Sequence, residues 1–158
     1  MSTVLNLVEL RQGGVADLAT VEALMAEAFD PRFGEAWTRN QCVGIFALPG
    51  VWLTMATLDG APAGFALSRK VADEVELLLL ATAPASRRRG VAAALLRSVI
   101  ADSIAAGAIT LHLEVREGNE AIKLYRGTGF VKVGERRNYY RGSSGQSFHA
   151  FTFSRKLG

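Results

Sequence analysis

The sequence predicts an α/β fold, a mixed central β-sheet with helices on both faces, and three observations carry that prediction. Leu77–Leu80 places four leucines in a row inside the segment Glu74–Thr82. An unbroken apolar run of this length suits a strand covered on both sides. From Glu74 to Arg126, strand-like and helix-like segments alternate, the order that builds strand–helix–strand units. Turn signals at Asp59–Gly60 and in the Ser/Gly-rich stretch Arg141–Gln146 add an antiparallel hairpin toward each end.

The chain has 158 residues, 49% of them hydrophobic and 21% charged, which favours one folded domain over residues 1–158 and excludes a disordered chain. Cys42 is the sole cysteine, so no intrachain disulfide is possible, and a reducing, cytoplasmic setting fits that count. No apolar run approaches the roughly 20 residues that span a bilayer, and MSTVLNLVELRQGG lacks the pattern of a secretory leader. Neither a membrane partner nor export is therefore expected. The net charge of +3 is mild and names no partner by itself.

Taken in order, Asn6–Leu10 reads as a short edge strand, and Asp17 as the cap of a helix reaching Ala28 with Val21, Leu24 and Met25 on one side. Phe29–Trp37 holds Pro31 and Gly34 and reads as irregular; Thr38–Phe46 is a second helix stopped by Pro49–Gly50. Trp52–Leu58 and Ala63–Val71 flank Asp59–Gly60 as two antiparallel strands. After the Glu74–Thr82 strand, Val91–Ala106 is an amphipathic helix ended by Gly107. Ile109–Val115 is a further strand, Asn119–Arg126 a short helix, and Phe130–Arg137 with Ser147–Arg155 a closing antiparallel pair. There is no GxGxxG, no P-loop and no early βαβ unit, so the order does not suggest a complete dinucleotide-binding domain.

The chemistry concentrates in Leu80-Ala-Thr-Ala-Pro-Ala-Ser-Arg-Arg-Arg-Gly-Val-Ala92. This segment leaves a buried strand and enters an amphipathic helix. Small residues at Gly90 and Ala92 let backbone lie close to a ligand, and successive N–H groups in such a turn cradle phosphate. The helix start adds unpaired N–H groups and partial positive charge. Arg87, Arg88 and Arg89 add a local field, so a diphosphate fits. A solvated basic turn is the plain alternative. Nucleic-acid recognition is not expected, because no zinc-finger spacing or RNA-binding aromatic pair is present.

Arg87-x-x-Gly90-x-Ala92 resembles the acetyl-CoA motif of the GNAT superfamily, Arg/Gln-x-x-Gly-x-Gly/Ala. Leu111-His-Leu-Glu-Val-Arg-Glu-Gly-Asn119, the run to Leu124-Tyr125 and Gly129-Phe130, and Arg136-Arg-Asn-Tyr-Tyr140 narrow the resemblance to bacterial ribosomal-protein alanine N-acetyltransferases. The resemblance is clear from about Glu74 to Tyr140. It implies a GNAT fold with splayed central parallel strands and acetyl-CoA as acetyl donor without a metal. It further implies that Leu80, Ala81 and Thr82 bind the pantetheine arm like an added strand. Arg87–Ala92, with Val91 among them, would hold the diphosphate, and Asn119 would contact the cofactor arm. The implied acceptor is a protein N-terminus, alanine of a small-subunit ribosomal protein.

Transfer to an amine needs a neutral nucleophile; an α-amino group has a reference pKa of about 7.7–8.0, so a modest base suffices. Glu114 is the candidate, near the end of a central strand on the side shared with His112 and Arg116, and the resemblance gives the matching glutamate that role. Tyr125 is the candidate acid. A phenol of reference pKa about 10 stays protonated and can donate to a departing thiolate, the role the family tyrosine has. Glu76 competes as a base but fits a solvated ion pair better. Cys42 has no activating neighbour in its motif, and His112 and His149 form no ligand cluster with metal spacing. Phe29, Trp37, Asn138, Tyr139 and Tyr140 are candidate acceptor contacts, with plain packing of the last hairpin as the alternative for the tyrosines.

Two departures stand out. The family spaces its asparagine and tyrosine seven positions apart, whereas Asn119 and Tyr125 are six apart. One missing helical residue turns the subsequent side chains by about 100° unless the loop absorbs it. The family's acidic residue after the last loop's glycine is also missing from Gly145-Gln-Ser-Phe-His-Ala150. Acetylation of a small amine or polyamine, and a non-catalytic acyl-CoA sensor, remain open alternatives at this level.

Overall fold

The computed structural model describes residues 7–158. Its strands are β1 (Val8–Gly13), β2 (Val51–Leu58), β3 (Ala61–Val71), β4 (Glu74–Thr82), β5 (Thr110–Arg116), β6 (Val131–Arg141) and β7 (Ser147–Lys156). Its helices are α1 (Leu18–Ala28), α2 (Arg39–Phe46), α3 (Val91–Ala105) and α4 (Ala121–Gly127). The strands form one sheet in the order β1-β2-β3-β4-β5-β7-β6, antiparallel except for β4 and β5.

The local chemistry mostly acts as expected. Asp59 and Gly60 both take positive φ, 52° and 85°, and turn β2 into β3. Thr38 and Gln41 exchange side-chain bonds with each other's backbone N–H and start α2. Asp17 departs from expectation: its carboxylate takes Arg11 and the Gly14 N–H rather than the first turn of α1. The first strand also lies later than expected, running on to Gly13, because Arg11 and Gln12 pair by backbone with Met55 and Thr54 whatever their polarity. Asn6, expected to begin that strand, lies outside the described residues. β6 runs to Arg141 through an irregularity between Arg136 and Tyr140, where Asn138 has φ 52°.

Two apolar clusters sandwich the sheet. Leu95, Leu96 and Val99 of α3 pack with Val75, Leu77, Leu111, Leu113 and Phe153. Val21, Leu24 and Met25 of α1 pack on the other face with Leu53, Met55, Phe65 and Leu67. β4 contributes to both. Val75 and Leu77 belong to the α3 cluster, whereas Leu79 and Ala81 belong to the α1 cluster. Strict alternation would keep all four on one face. The pairing of Leu67 with Leu79 and of Ser68 with Leu77 skips Leu78, and this bulge reverses the alternation. The four-leucine run is thus explained by burial on both faces plus one inserted residue.

The same bulge precedes a split in the sheet. β4 and β5 pair only from Glu74↔Thr110 to Leu77↔Leu113. Beyond that point β4 stays with β3 as far as Thr82, and β5 stays with β7 as far as Arg116. The central parallel strands therefore splay. Leu78–Thr82 keep one backbone edge free of β5.

Candidate active site

The split opens into a cavity of about 950 Å³. One wall is the free end of β4 at Leu80, Ala81 and Thr82, followed by Arg87, Arg88, Gly90, Val91 and Ala92. The facing wall carries Asn119 and Tyr125, and Phe29 and Phe33 close the side next to α1. Gly64 supports β4 from behind; a Cβ there would stand 2.5 Å from the Ala81 carbonyl oxygen, so this close approach requires glycine.

The turn before α3 is open and presents backbone amides. Arg88 and Gly90 have φ 64° and 80°, and a Cβ on Gly90 would meet nothing within 4 Å, so the turn faces open space. The first bond into α3 runs from the Ala94 N–H to the Gly90 carbonyl at 3.0 Å. The amides of Val91, Ala92 and Ala93 precede the helical ladder and lack partners within it. These donors beside exposed Arg88 suit a diphosphate. Arg87 is committed elsewhere in part, since its Nη2 donates to the Ala28 carbonyl at 2.9 Å and ties the turn to the end of α1. Arg89 lies outside the cavity lining.

Tyr125 is buried at 5% exposure, edge to face with Phe130 at 5.8 Å. Burial, reinforced by the negative charge of Glu35, holds its phenol above the ordinary range and therefore protonated. Tyr125 lines the cavity despite the short Asn119–Tyr125 interval, and α4 begins at Ala121. Asn119 lines the same cavity and is also bonded within the protein. Its Oδ1 accepts the Ala121 N–H at 2.9 Å and its Nδ2 donates to Glu35 at 2.8 Å, so its polar ends already serve the protein.

Glu114 stands outside this lining, with 14% of its side chain exposed. Its Oε1 pairs with Arg136 Nε at 2.7 Å, and its Oε2 is buried with no hydrogen-bond partner. Burial raises its pKa above the usual carboxylate range; Arg136 opposes this, Glu76 adds to it, and His112 opposes it. Tyr140 joins the two regions. Its hydroxyl donates to the Glu114 carbonyl at 3.5 Å, and burial followed by Glu35 pushes its phenol up. Tyr139 packs edge to face on Tyr140 at 4.9 Å, beneath the Arg136 guanidinium.

Of the expected acceptor contacts, Phe29 lines the cavity, whereas Trp37, Asn138, Tyr139 and Tyr140 stand outside its lining. Trp37 packs partly buried against the α1 cluster and does not line the cavity. Asn138 supplies a kink: its N–H donates to His149 Nδ1 at 3.0 Å while the residue itself is exposed. Tyr139 lies beyond the cavity, 52% exposed. Glu76 approaches His112 at 3.9 Å, and Cys42 is buried with its thiol pushed up by that burial and then by Glu22. Among the described residues no group of three His, Cys, Asp or Glu side chains has metal-binding geometry.

Sequence reasoning missed Glu35, Arg116 and Arg136. Arg116 and Glu35 form an almost buried pair at 3.1 Å, with 12% and 11% of their side chains exposed. Arg116 and Arg136 lie within the LEVR and RRNYY stretches, so their position was visible but their partners were not. Glu35 has no local signal, since its partners are 81 and 84 residues away.

The model of the acetyltransferase (GNAT) family matches residues 18–130. The chain belongs to the GNAT acetyltransferase family. This GNAT chain is 41% identical over 90 residues to the [ribosomal protein bS18]-alanine N-acetyltransferase of Salmonella typhimurium, a match covering 56% of the chain and 61% of that relative. It thus spans about three-fifths of the length of that relative. It is 34% identical over 135 residues to the N-alpha-acetyltransferase RimI of Mycobacterium tuberculosis, covering 82% of the chain and 80% of that protein. Its fold superposes on the crystal structure of the ribosomal-protein-S18-alanine N-acetyltransferase from Escherichia coli with a TM-score of 0.85 and 28% identity, over 96% and 95% of the two chains. The splayed parallel strands expected of a GNAT fold are present.

Proposed function

We propose that this GNAT protein, acting as one domain in the cytoplasm, is an acetyl-CoA-dependent N-acetyltransferase of protein N-termini. Its acceptor is the terminal alanine of a small-subunit ribosomal protein. The observation that carries this reading is the union in one cavity of a free β4 edge, an open turn presenting backbone amides and the buried phenol of Tyr125. The likeness to the bS18-alanine enzymes supports this choice of acceptor.

Acetyl-CoA supplies an acetyl thioester. Leu80–Thr82 offer backbone groups along the edge that β5 leaves free, which suits an amide-bearing arm laid down as an extra strand. The turn Arg87–Ala92 offers amide donors and positive charge to the diphosphate. Asn119 acts by holding the start of α4. Glu114 accepts the proton of the acceptor amine; because it stands outside the cavity lining, a water relays that proton. Tyr125, kept protonated by burial, donates a proton to the departing sulfur. Tyr139, Tyr140 and Phe29 flank the acceptor's path.

A mass-resolved acetylation screen with alanine-starting and other N-terminal peptides, free lysine and polyamines tests the reading. Acetylation of the terminal amine of alanine peptides is expected. Acetylation restricted to lysine or polyamines refutes the peptide acceptor, and acetyl-CoA binding without turnover on any amine refutes the enzyme.

A further inference from the structure

The loop from Phe29 to Thr38 and the β6–β7 turn meet over the end of β5. The Ser143 N–H donates to the Pro31 carbonyl at 3.0 Å. A Cβ on Gly142 would stand 1.7 Å from the Arg32 carbonyl oxygen, and one on Gly34 would stand 2.1 Å from that of Arg141. The two backbones therefore touch. Phe33 and Phe148 pack edge to face at 5.3 Å, and the Arg116 guanidinium lies 3.7 Å from the Phe33 ring centre. Glu35 stands at the middle of this junction with both oxygens used: Oε1 takes Arg116 Nε at 3.1 Å and Oε2 takes Asn119 Nδ2 at 2.8 Å.

We infer that Glu35 is a positioning residue for the transfer step, fixing through Asn119 where α4 begins and hence where the Tyr125 hydroxyl stands. This rests on the acetyltransferase reading and deepens it. Asn119 Oδ1 caps the Ala121 N–H that opens α4, so whatever holds Asn119 holds the helix that carries Tyr125. The grip matters here because the interval from Asn119 to Tyr125 is short. Each residue of slip at the helix start turns Tyr125 by about 100°. Glu35 also lines the cavity beside Tyr125, and its negative charge favours the protonated phenol that the step requires. Both donors meet a carboxylate that is nearly buried, so removing either leaves one of its oxygens without a partner.

The test compares Glu35→Ala, Glu35→Gln, Asn119→Ala and the double variant Glu35→Ala/Asn119→Ala. It reads kcat, both KM values, acetyl-CoA affinity and hydrogen exchange of α4 and of the Ser143 amide. Each single variant should lose about ten- to hundredfold in kcat, the scale of a misplaced catalytic group, with a smaller change in KM. The double variant should be no worse than the poorer single, because both cut one chain of contacts. Losses that multiply in the double variant, or that fall on KM alone, overturn the inference. Exchange across α4 should quicken about tenfold or more in Glu35→Ala; unchanged exchange overturns it too. If the unaltered protein acetylates no amine, the acetyltransferase reading falls, and exchange across α4 alone decides whether Glu35 holds that helix. Should Glu35→Ala fail to fold, Glu35→Gln, which keeps the volume and one acceptor, is judged by the same criteria.

Discussion

Glu114 sits between two opposed influences, burial that favours its neutral form and the Arg136 guanidinium that favours its charged form. As a base it must be ionised, so the acidic limb of the kcat/KM profile should follow its pKa and lie above the reference glutamate value of about 4.3. Arg136→Gln removes the group that lowers that pKa, so the limb should move to higher pH. A limb that stays put in a pH–rate series dissociates Arg136 from the base. Glu114→Gln should cut turnover about a hundredfold or more and leave acetyl-CoA affinity, read by calorimetry, unchanged. Near-normal turnover across pH would reject its role. Glu114 and Tyr125 were legible as candidates from residue type, strand phase and family resemblance. Their electrostatic partners were not, because Arg136 and Glu35 reach them through bends and loops that no periodicity encodes.

At the scale of elements, the junction of β4, its bulge and the turn into α3 decides whether there is a cavity at all. Alanine at Gly64 would place a Cβ 2.5 Å from the Ala81 carbonyl. Overpacking of this kind costs about 1–3 kcal/mol, and relief would come from displacing the strand end that forms the cavity wall. Acetyl-CoA binding by Gly64→Ala, measured by titration calorimetry, should therefore weaken by about tenfold. Equal affinity would show that β4 gives way without moving its free edge. Gly90→Ala tests the turn separately: nothing obstructs the new methyl, so its effect is the left-handed strain of about 1–2 kcal/mol, visible as a lower Tm. The Leu77–Leu80 run announced a strand buried on both faces. It did not announce the bulge at Leu78, which requires the register of β3 to be known.

Across the whole molecule, the two apolar clusters hold the sheet from both sides, and the split is stable only because each half keeps its other neighbour. Leu113 is fully buried at the last paired position before β4 and β5 part. Leu113→Ala should cost about 2–5 kcal/mol in denaturant unfolding. A loss well below that range would mean that the sheet closes over the missing side chain. Acetyl-CoA at about a hundred times its Kd should stabilise the fold by about 2.7 kcal/mol through linkage, read as a rise in Tm absent with free acetate. The sequence alone determined the α/β class, the strand and helix order, the basic turn and the family, because these depend on periodicity, turn chemistry and contiguous motifs. Only the tertiary structure decided that Glu35 would grip Asn119, that Trp37 would turn to the core and that Glu114 would stand beside Arg136. Those contacts join residues tens of positions apart, and their geometry is set by a strand register and a loop junction that exist only once the sheet has assembled.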